Sequence, residues 1–403
     1  MDQIDKREVM SGRIRRLPEY LFAGINALKA RTRAAGVDVI DLGMGNPDHP
    51  APSFITDKLC EVARDSKAHR YSISRGLLHL RREMSKRYKE RYDVDLDPET
   101  EVVVSIGSKE GLTHLMFAVI DEGDTVVVPS PTYPIHTFGV LLAGGAVVTL
   151  PLGDPRNLVM RLEATVAPMW PKPKMLILSF PHNPTSVTVD PGFFEDVVAF
   201  AKAHGLIVVH DLAYADLVFD DYQAPSFLQA KGAKDVGVEF FSMTKSYNMA
   251  GWRVGFMVGN KDVVGALIKI KSYLDYGIFT PIQVAAITAL RSGMEPCREI
   301  AAVYRARRDI MVEGLRKMGW EMENPRATMY VWARIPDKFR GMGSLKFAEV
   351  LLEKAGVAAS PGAGFGAEGE GYMRFALVEN DERIRQALRN MKRAFHTTGS
   401  LAE

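Results

Sequence analysis

MLILSFPHNPTSVTVDPGFFEDVVAFAKAHGLIVVHD, residues 175–211, decides the fold. Two apolar runs, MLILSF (175–180) and LIVVH (206–210), flank GFFEDVVAFAKAHG (192–205), whose apolar positions recur at helical spacing. The two runs are apolar at consecutive rather than alternate positions, the pattern of strands covered on both faces. A strand, a helix and a second such strand form a crossover unit with parallel strands. Outward from this unit the same kind of run recurs as VVVSI (102–106), TVVVP (125–129), AVVTL (146–150), VEFFS (238–242) and VGFMV (254–258), and KEGLTHLMFAVI (109–120) supplies another helical pattern. The reading is α/β: a mainly parallel seven-stranded sheet with helices on both faces. Only residues 243–253 separate the last two runs, too few for a helical crossover, so the last strand is expected to run antiparallel.

Beyond Pro281 one long helical stretch is expected to run to about Met318. WEMEN, ATMYVWARI, a helix near Ser344–Ala355, VAASP, YMRFALV and a final amphipathic helix follow it. This reads as a smaller α+β unit, joined by an N-terminal helix around Pro18–Ala35. The expected division is a large unit over 45–300 and a small one from 1–44 and 301–403, within the two to three domains that 403 residues suggest.

Composition narrows the function. The 51 Lys and Arg against 49 Asp and Glu leave a formal charge of +2, without the concentrated positive field a nucleic-acid binder needs. The uncharged stretch Thr125–Gly153 is the most membrane-like, yet Pro129, Pro131, Pro134 and Pro151 interrupt it well short of the roughly 20 residues a bilayer requires. The N-terminus is basic but carries Asp2, Asp5 and Glu8 and no apolar run, so no secretory signal is read there. Two cysteines, Cys60 and Cys297, lie far apart, which points to a reducing, cytoplasmic setting and away from a cysteine metal site. No HExxH, GxSxG or Gly-Lys dipeptide occurs, and PGAGFG (361–366) reads as a flexible loop because it lacks dinucleotide spacing.

What remains is a set of polar residues at or after the ends of apolar strands, where open α/β sheets place ligands. Asn183 follows one strand in SFPHNPT, Asp211 and Tyr214 follow another, and Lys245 and Arg253 lie in SMTKSYNMAGWR (242–253). Taken singly these read as a turn asparagine, a capping aspartate and a surface lysine. His210, next to Asp211, should point to the opposite face of its strand.

Together with DLGMGNPD (41–48), YSISRGLLHLR (71–81), SIGSKEGL (105–112), SPTYPIH (130–136), HDLAY (210–214) and YMRFALVEN (372–380), these motifs resemble the class I/II aminotransferases, pyridoxal-phosphate enzymes of fold type I. The details look most like the bacterial alanine aminotransferase branch. The resemblance implies that Lys245 is the Schiff-base lysine and proton carrier, and that Asp211 faces the pyridine nitrogen with His136 behind it. It places Asn183 and Tyr214 on the phenolic oxygen and Tyr133 against the ring. Ser108, Lys109, Ser242 and Arg253 are implied at the phosphate, together with Tyr71 from the neighbouring subunit of a homodimer with shared sites. Arg374 is implied to fork the substrate carboxylate, near the backbone of Gly45. The implied reaction is ping-pong transfer between an amino acid and a 2-oxo acid, with alanine and 2-oxoglutarate the first choice. Methionine, 2-aminobutyrate, aspartate or LL-diaminopimelate as donor, and a lyase on the same fold, stand as alternatives. A pyridoxal-phosphate-binding transcription regulator is disfavoured, since only about 40 residues precede DLGMGNPD and no DNA-binding module is read there. No metal is expected.

Overall fold

The structure, a computed structural model, describes residues 9–18 and 21–397. Residues 1–8 and 398–403 of the expected small unit lie outside the described residues, as do Glu19 and Tyr20 of the expected N-terminal helix, which is observed over Leu21–Ala34.

A short strand, β1 (Ile40–Leu42), precedes the main sheet. The seven apolar runs all form strands: β2 (Val102–Ser105), β3 (Thr125–Ser130), β4 (Ala146–Pro151), β5 (Met175–Ser179), β6 (Ile207–Asp211), β7 (Gly237–Ser242) and β8 (Gly255–Gly259). Their order is β2-β8-β7-β6-β5-β3-β4. Pairings among β3 to β7 are parallel, whereas β8 runs antiparallel to both β7 and β2, as the short connection requires. Every residue of β5 and β7 is buried, the result of helices on both faces. The crossover helix spans Pro191–His204 and stops at Gly205, whose φ of +66° only glycine adopts cheaply.

Residues after the main sheet contribute β9 (Tyr330–Arg334), β10 (Val357–Pro361) and β11 (Tyr372–Ala376), which with β1 form a four-stranded sheet in the order β1-β10-β11-β9. Helices Gly343–Ala355 and Asp381–Thr397 belong to the same unit. WEMEN forms no strand. The stretch expected as one helix from Pro281 is two, Thr280–Arg291 and Glu295–Arg316. Gly293, at φ +74°, lets the backbone turn, and Pro296 sits in the first turn of the second helix.

The second helix crosses the expected boundary near residue 300. Cys297 packs into the core under the large sheet, while Ile300 and Ala301 pack into that of the small one. Tyr214, Leu217 and Phe219, from the segment leaving β6, also join the small sheet's core. The large and small units thus meet along a seam beside the end of β6. None of the described helices is long and apolar enough to cross a membrane.

A buried ion pair holds this seam. Arg87, on helix Leu78–Tyr92, donates to both carboxylate oxygens of Asp216 at 2.8 and 2.6 Å, and Arg91 stands 3.3 Å away. Burial works to raise the Asp216 pKa, but the two guanidinium charges outweigh it and hold the carboxyl below its usual range. Removing the carboxylate strands two largely buried cations, so Asp216→Ala is expected to lower unfolding free energy by about 3–5 kcal/mol in urea titrations. A depressed carboxylate stabilises above its unfolded pKa and ceases to do so as pH falls through its folded one. The difference between variant and parent should therefore shrink below about pH 4.

Candidate active site

β3, β5, β6 and β7 are parallel, so their C-terminal ends lie along one edge, and the strand order reverses direction at β3, with β4 on one side and β5 on the other. Open sheets place ligands at such a point. A cavity of about 730 Å³ opens there against the small sheet. Its wall includes Gly45, Ser108, Lys109, Tyr133 and Asn183, and beyond them Asp211, Tyr214, Ser242, Lys245, Arg253 and Arg374. His136 stands directly behind Asp211. Tyr71 is not brought into this cavity: it is 85% exposed and pairs with Tyr276, ring centroids 4.6 Å apart.

Asp211 ends β6. Its Oδ2 lies 3.0 Å from His136 Nε2, and His136 Nδ1 lies 2.8 Å from the Thr132 hydroxyl. An ionised carboxylate only accepts, so Nε2 carries the proton and Nδ1 accepts from Thr132. Tyr133 is half-buried and meets His136 edge-on at 5.9 Å. His210 points to the other face, as strand alternation requires. Its Nδ1 bonds Glu239 at 2.8 Å, and Glu239 also accepts from Tyr88, Ser226 and the Phe227 amide. His182 is buried against Thr185, and burial, with His136 nearby, lowers its pKa to about 3, so it is neutral.

Ser108 starts helix Ser108–Val119, whose backbone N–H groups point to the cavity edge, while the Lys109 side chain is exposed. Arg253 faces the same spot, with its backbone at φ +57° and Nη1 donating to the Ala250 carbonyl at 3.1 Å. Two glycines keep this corner open: a Cβ at Gly107 would fall 2.4 Å from Arg253 Nη2, and one at Gly255 2.7 Å from the Ser108 nitrogen. The Ser242 hydroxyl accepts from the Thr244 amide at 3.2 Å. Amides at a helix start, a guanidinium and hydroxyls form a donor set suited to a phosphate.

Across the cavity, Arg374 on β11 is buried. Nη1 donates to Asn183 Oδ1 at 2.8 Å and Nη2 to the Gly43 carbonyl at 3.0 Å, and its guanidinium lies 4.1 Å over the Tyr330 ring and 4.5 Å over that of Phe365. Its Nε has no hydrogen-bond partner. With Oδ1 committed, Asn183 offers a ligand its Nδ2 donor. Lys245 Nζ donates to the Gly45 carbonyl. Burial, followed by the charges of Arg374 and Arg253, lowers the Lys245 pKa from 10.5 to about 7.

These features suit an aromatic phosphate ester with an aldehyde to capture: a phosphate corner, a carboxylate at the end of β6 and a lysine half neutral at about pH 7. Residues 37–391 match the family described as aminotransferase class I and II. The chain belongs to that family. The aminotransferase works with pyridoxal phosphate, and the donor set described above fits it. It is 54% identical to the glutamate-pyruvate aminotransferase AlaC of Escherichia coli over 96% of this chain and 94% of that one. It is 47% identical to the LL-diaminopimelate aminotransferase of Moorella thermoacetica over 94% and 97% of the two. Among solved structures, substrate-bound BacF of Bacillus subtilis superposes with a TM-score of 0.89 at 34% identity, covering 95% of this chain and 97% of that one.

Among the residues of the aminotransferase's cavity region that escaped the sequence reading are Thr132, Tyr330, Ser360 and Phe365. Phe365 lies in PGAGFG, which is no flexible loop. It is a tight turn in which Gly362 and Gly369 pack so closely that a Cβ at either would overlap the other's carbonyl, and the Phe365 carbonyl accepts from the Thr132 amide at 2.7 Å. Glu110, His114 and Asp275 gather like metal ligands, but the Lys271 ammonium stands among them, 2.8 Å from Asp275 and 3.3 Å from Glu110.

A lysine with its pKa at about 7 is half neutral at that pH, against about one part in 3,000 at the ordinary value. The rate at which the apo-protein takes up pyridoxal phosphate, followed by stopped-flow absorbance, is expected to climb about tenfold per pH unit below pH 7 and level off above it. A rise continuing to about pH 10 would show an ordinary lysine.

Proposed function

We propose that this aminotransferase moves the amino group of L-alanine to 2-oxoglutarate, giving pyruvate and glutamate in two half-reactions. The observation that carries the proposal is that Lys245 Nζ and the buried guanidinium of Arg374 line one cavity. The choice of alanine rests on the likeness to AlaC along nearly the whole sequence. Bound pyridoxal phosphate supplies a carbon that takes up nitrogen and a ring that draws electrons from the substrate α-carbon.

The protein's own residues do the rest. Arg374 grips the substrate α-carboxylate, and the Gly45 backbone closes against it. Lys245 holds the cofactor until substrate displaces it, and Nζ then takes the α-proton as a base and returns it as an acid. Asp211, oriented by His136, keeps a proton on the ring nitrogen. Asn183 and Tyr214 would donate to the cofactor's phenolic oxygen, Tyr133 would cover its ring, and Ser108, the Lys109 backbone, Ser242 and Arg253 would hold its phosphate. The enzyme is a homodimer in which the partner subunit's Tyr71 completes the phosphate site. Exposed Tyr276, which pairs with Tyr71, and exposed Ile73, two residues on from Tyr71, support such a face. Two cysteines, both free, suit a reducing cytoplasm. The LL-diaminopimelate reading is the second, supported by the likeness to the Moorella enzyme.

A panel of amino donors against oxo-acid acceptors should give the highest kcat/KM for alanine with 2-oxoglutarate; a higher value for LL-diaminopimelate would replace it. Lys245→Ala should abolish the visible band of the bound cofactor and cut turnover by at least about a thousandfold. Arg374→Ala should raise KM for amino and oxo acids alike by about 10–100-fold with cofactor still bound. Unchanged substrate kinetics would remove Arg374 from the site.

A further inference from the structure

Tyr330 touches three parts of the site at once. Its hydroxyl accepts from that of Tyr214 at 2.8 Å, and its ring is the floor 4.1 Å beneath the Arg374 guanidinium. A Cβ at Gly45 would fall 2.0 Å from the same hydroxyl, so only glycine lets the backbone that receives Lys245 pass beside it.

The backbone leading to Tyr330 is strained, and the strain is held from the other sheet. Thr328 has φ +72° and Ser186 φ +61°, conformations costing about 1–3 kcal/mol each for such residues. Their hydroxyls bond each other at 2.7 Å. The Thr328 amide donates to the Leu217 carbonyl at 2.8 Å, the Tyr330 amide to the Thr328 hydroxyl at 3.1 Å, and the Ser186 hydroxyl to the Tyr330 carbonyl at 3.0 Å. The first residue of β9 is thereby tied to the segments after β5 and β6, which carry Asn183 and Tyr214.

We infer that Tyr330 is a positioning residue that couples the substrate arginine to the phenol of Tyr214. Two phenols in contact share one proton between their oxygens. As the pair stands, Tyr214 donates to Tyr330; for the Tyr214 proton to turn toward the cofactor's phenolic oxygen, the Tyr330 hydroxyl must rotate and donate to Tyr214, and the two hydrogen bonds then polarise each other. The ring beneath Arg374 fixes the plane in which the guanidinium meets a carboxylate. The inference rests on the cofactor reading above, because it needs Tyr214 to donate to that oxygen.

The test uses full-length protein loaded with pyridoxal phosphate, with cofactor affinity and the pH titration of its absorbance as readouts. Tyr330→Phe keeps the floor and removes the hydroxyl. Its titration midpoint should rise by about half a pH unit or more, because the phenolic anion loses support, while KM for alanine stays within about twofold. In a Tyr214→Phe background the same change should add nothing, as expected of a residue acting through Tyr214. Tyr330→Leu should in addition raise KM for amino and oxo acids together by about tenfold and weaken cofactor affinity. An unshifted midpoint in a Tyr330→Phe protein of unchanged melting temperature overturns the coupling, as does an equal shift without Tyr214. A parent protein with no pH-dependent cofactor absorbance overturns the cofactor reading itself.

Discussion

The guanidinium of Arg374 is a buried positive charge with no carboxylate paired to it among the described residues, and much of the site is arranged around that fact. Stripped of water, it is held by dipoles and π faces: the Asn183 amide, the Gly43 carbonyl and the rings of Tyr330 and Phe365. Such partners lower the cost of burial without cancelling the charge. The remaining potential favours an entering carboxylate and also disfavours protonation of Lys245. One buried cation thereby serves both the binding of an acid and the readiness of an amine.

Holding the cation this way requires both sheets. Asn183 comes from the loop after β5, Gly43 from just after β1, and Tyr330 and Phe365 from the small unit. No single element could surround a guanidinium so completely. The seam must therefore be stiff, and buried polar contacts make it so: Arg87 and Arg91 on Asp216, Arg307 on both oxygens of Asp48, and the doubly strained pair Ser186 and Thr328. Apart from Nε of Arg87 and Nε of Arg307, the buried polar atoms of these side chains are hydrogen-bonded, and such contacts rigidify a structure.

Much of this was legible in the residues. Apolar runs located all seven strands of the large sheet, and the length of one connection foretold the reversed β8. The spacing of Asn183, Asp211, Lys245 and Arg374 in familiar motifs brought them into one group that the fold does assemble. The break at Gly293 was less legible, because helical periodicity continues on both sides of it. PGAGFG was misread because glycines that signal freedom in isolation here serve close packing of two turns.

The sequence by itself determined the seven strands, the reversed direction of the last and, through motifs resembling those of a family, which polar residues gather at the strand ends, because periodicity and local motifs are properties of neighbouring residues. Only the tertiary structure decided that Tyr330 lies under Arg374, that Thr132 stands behind His136, and that Tyr71 is turned away from the cavity. Those outcomes depend on segments far apart in sequence approaching within a few ångströms, and no local pattern encodes such an approach.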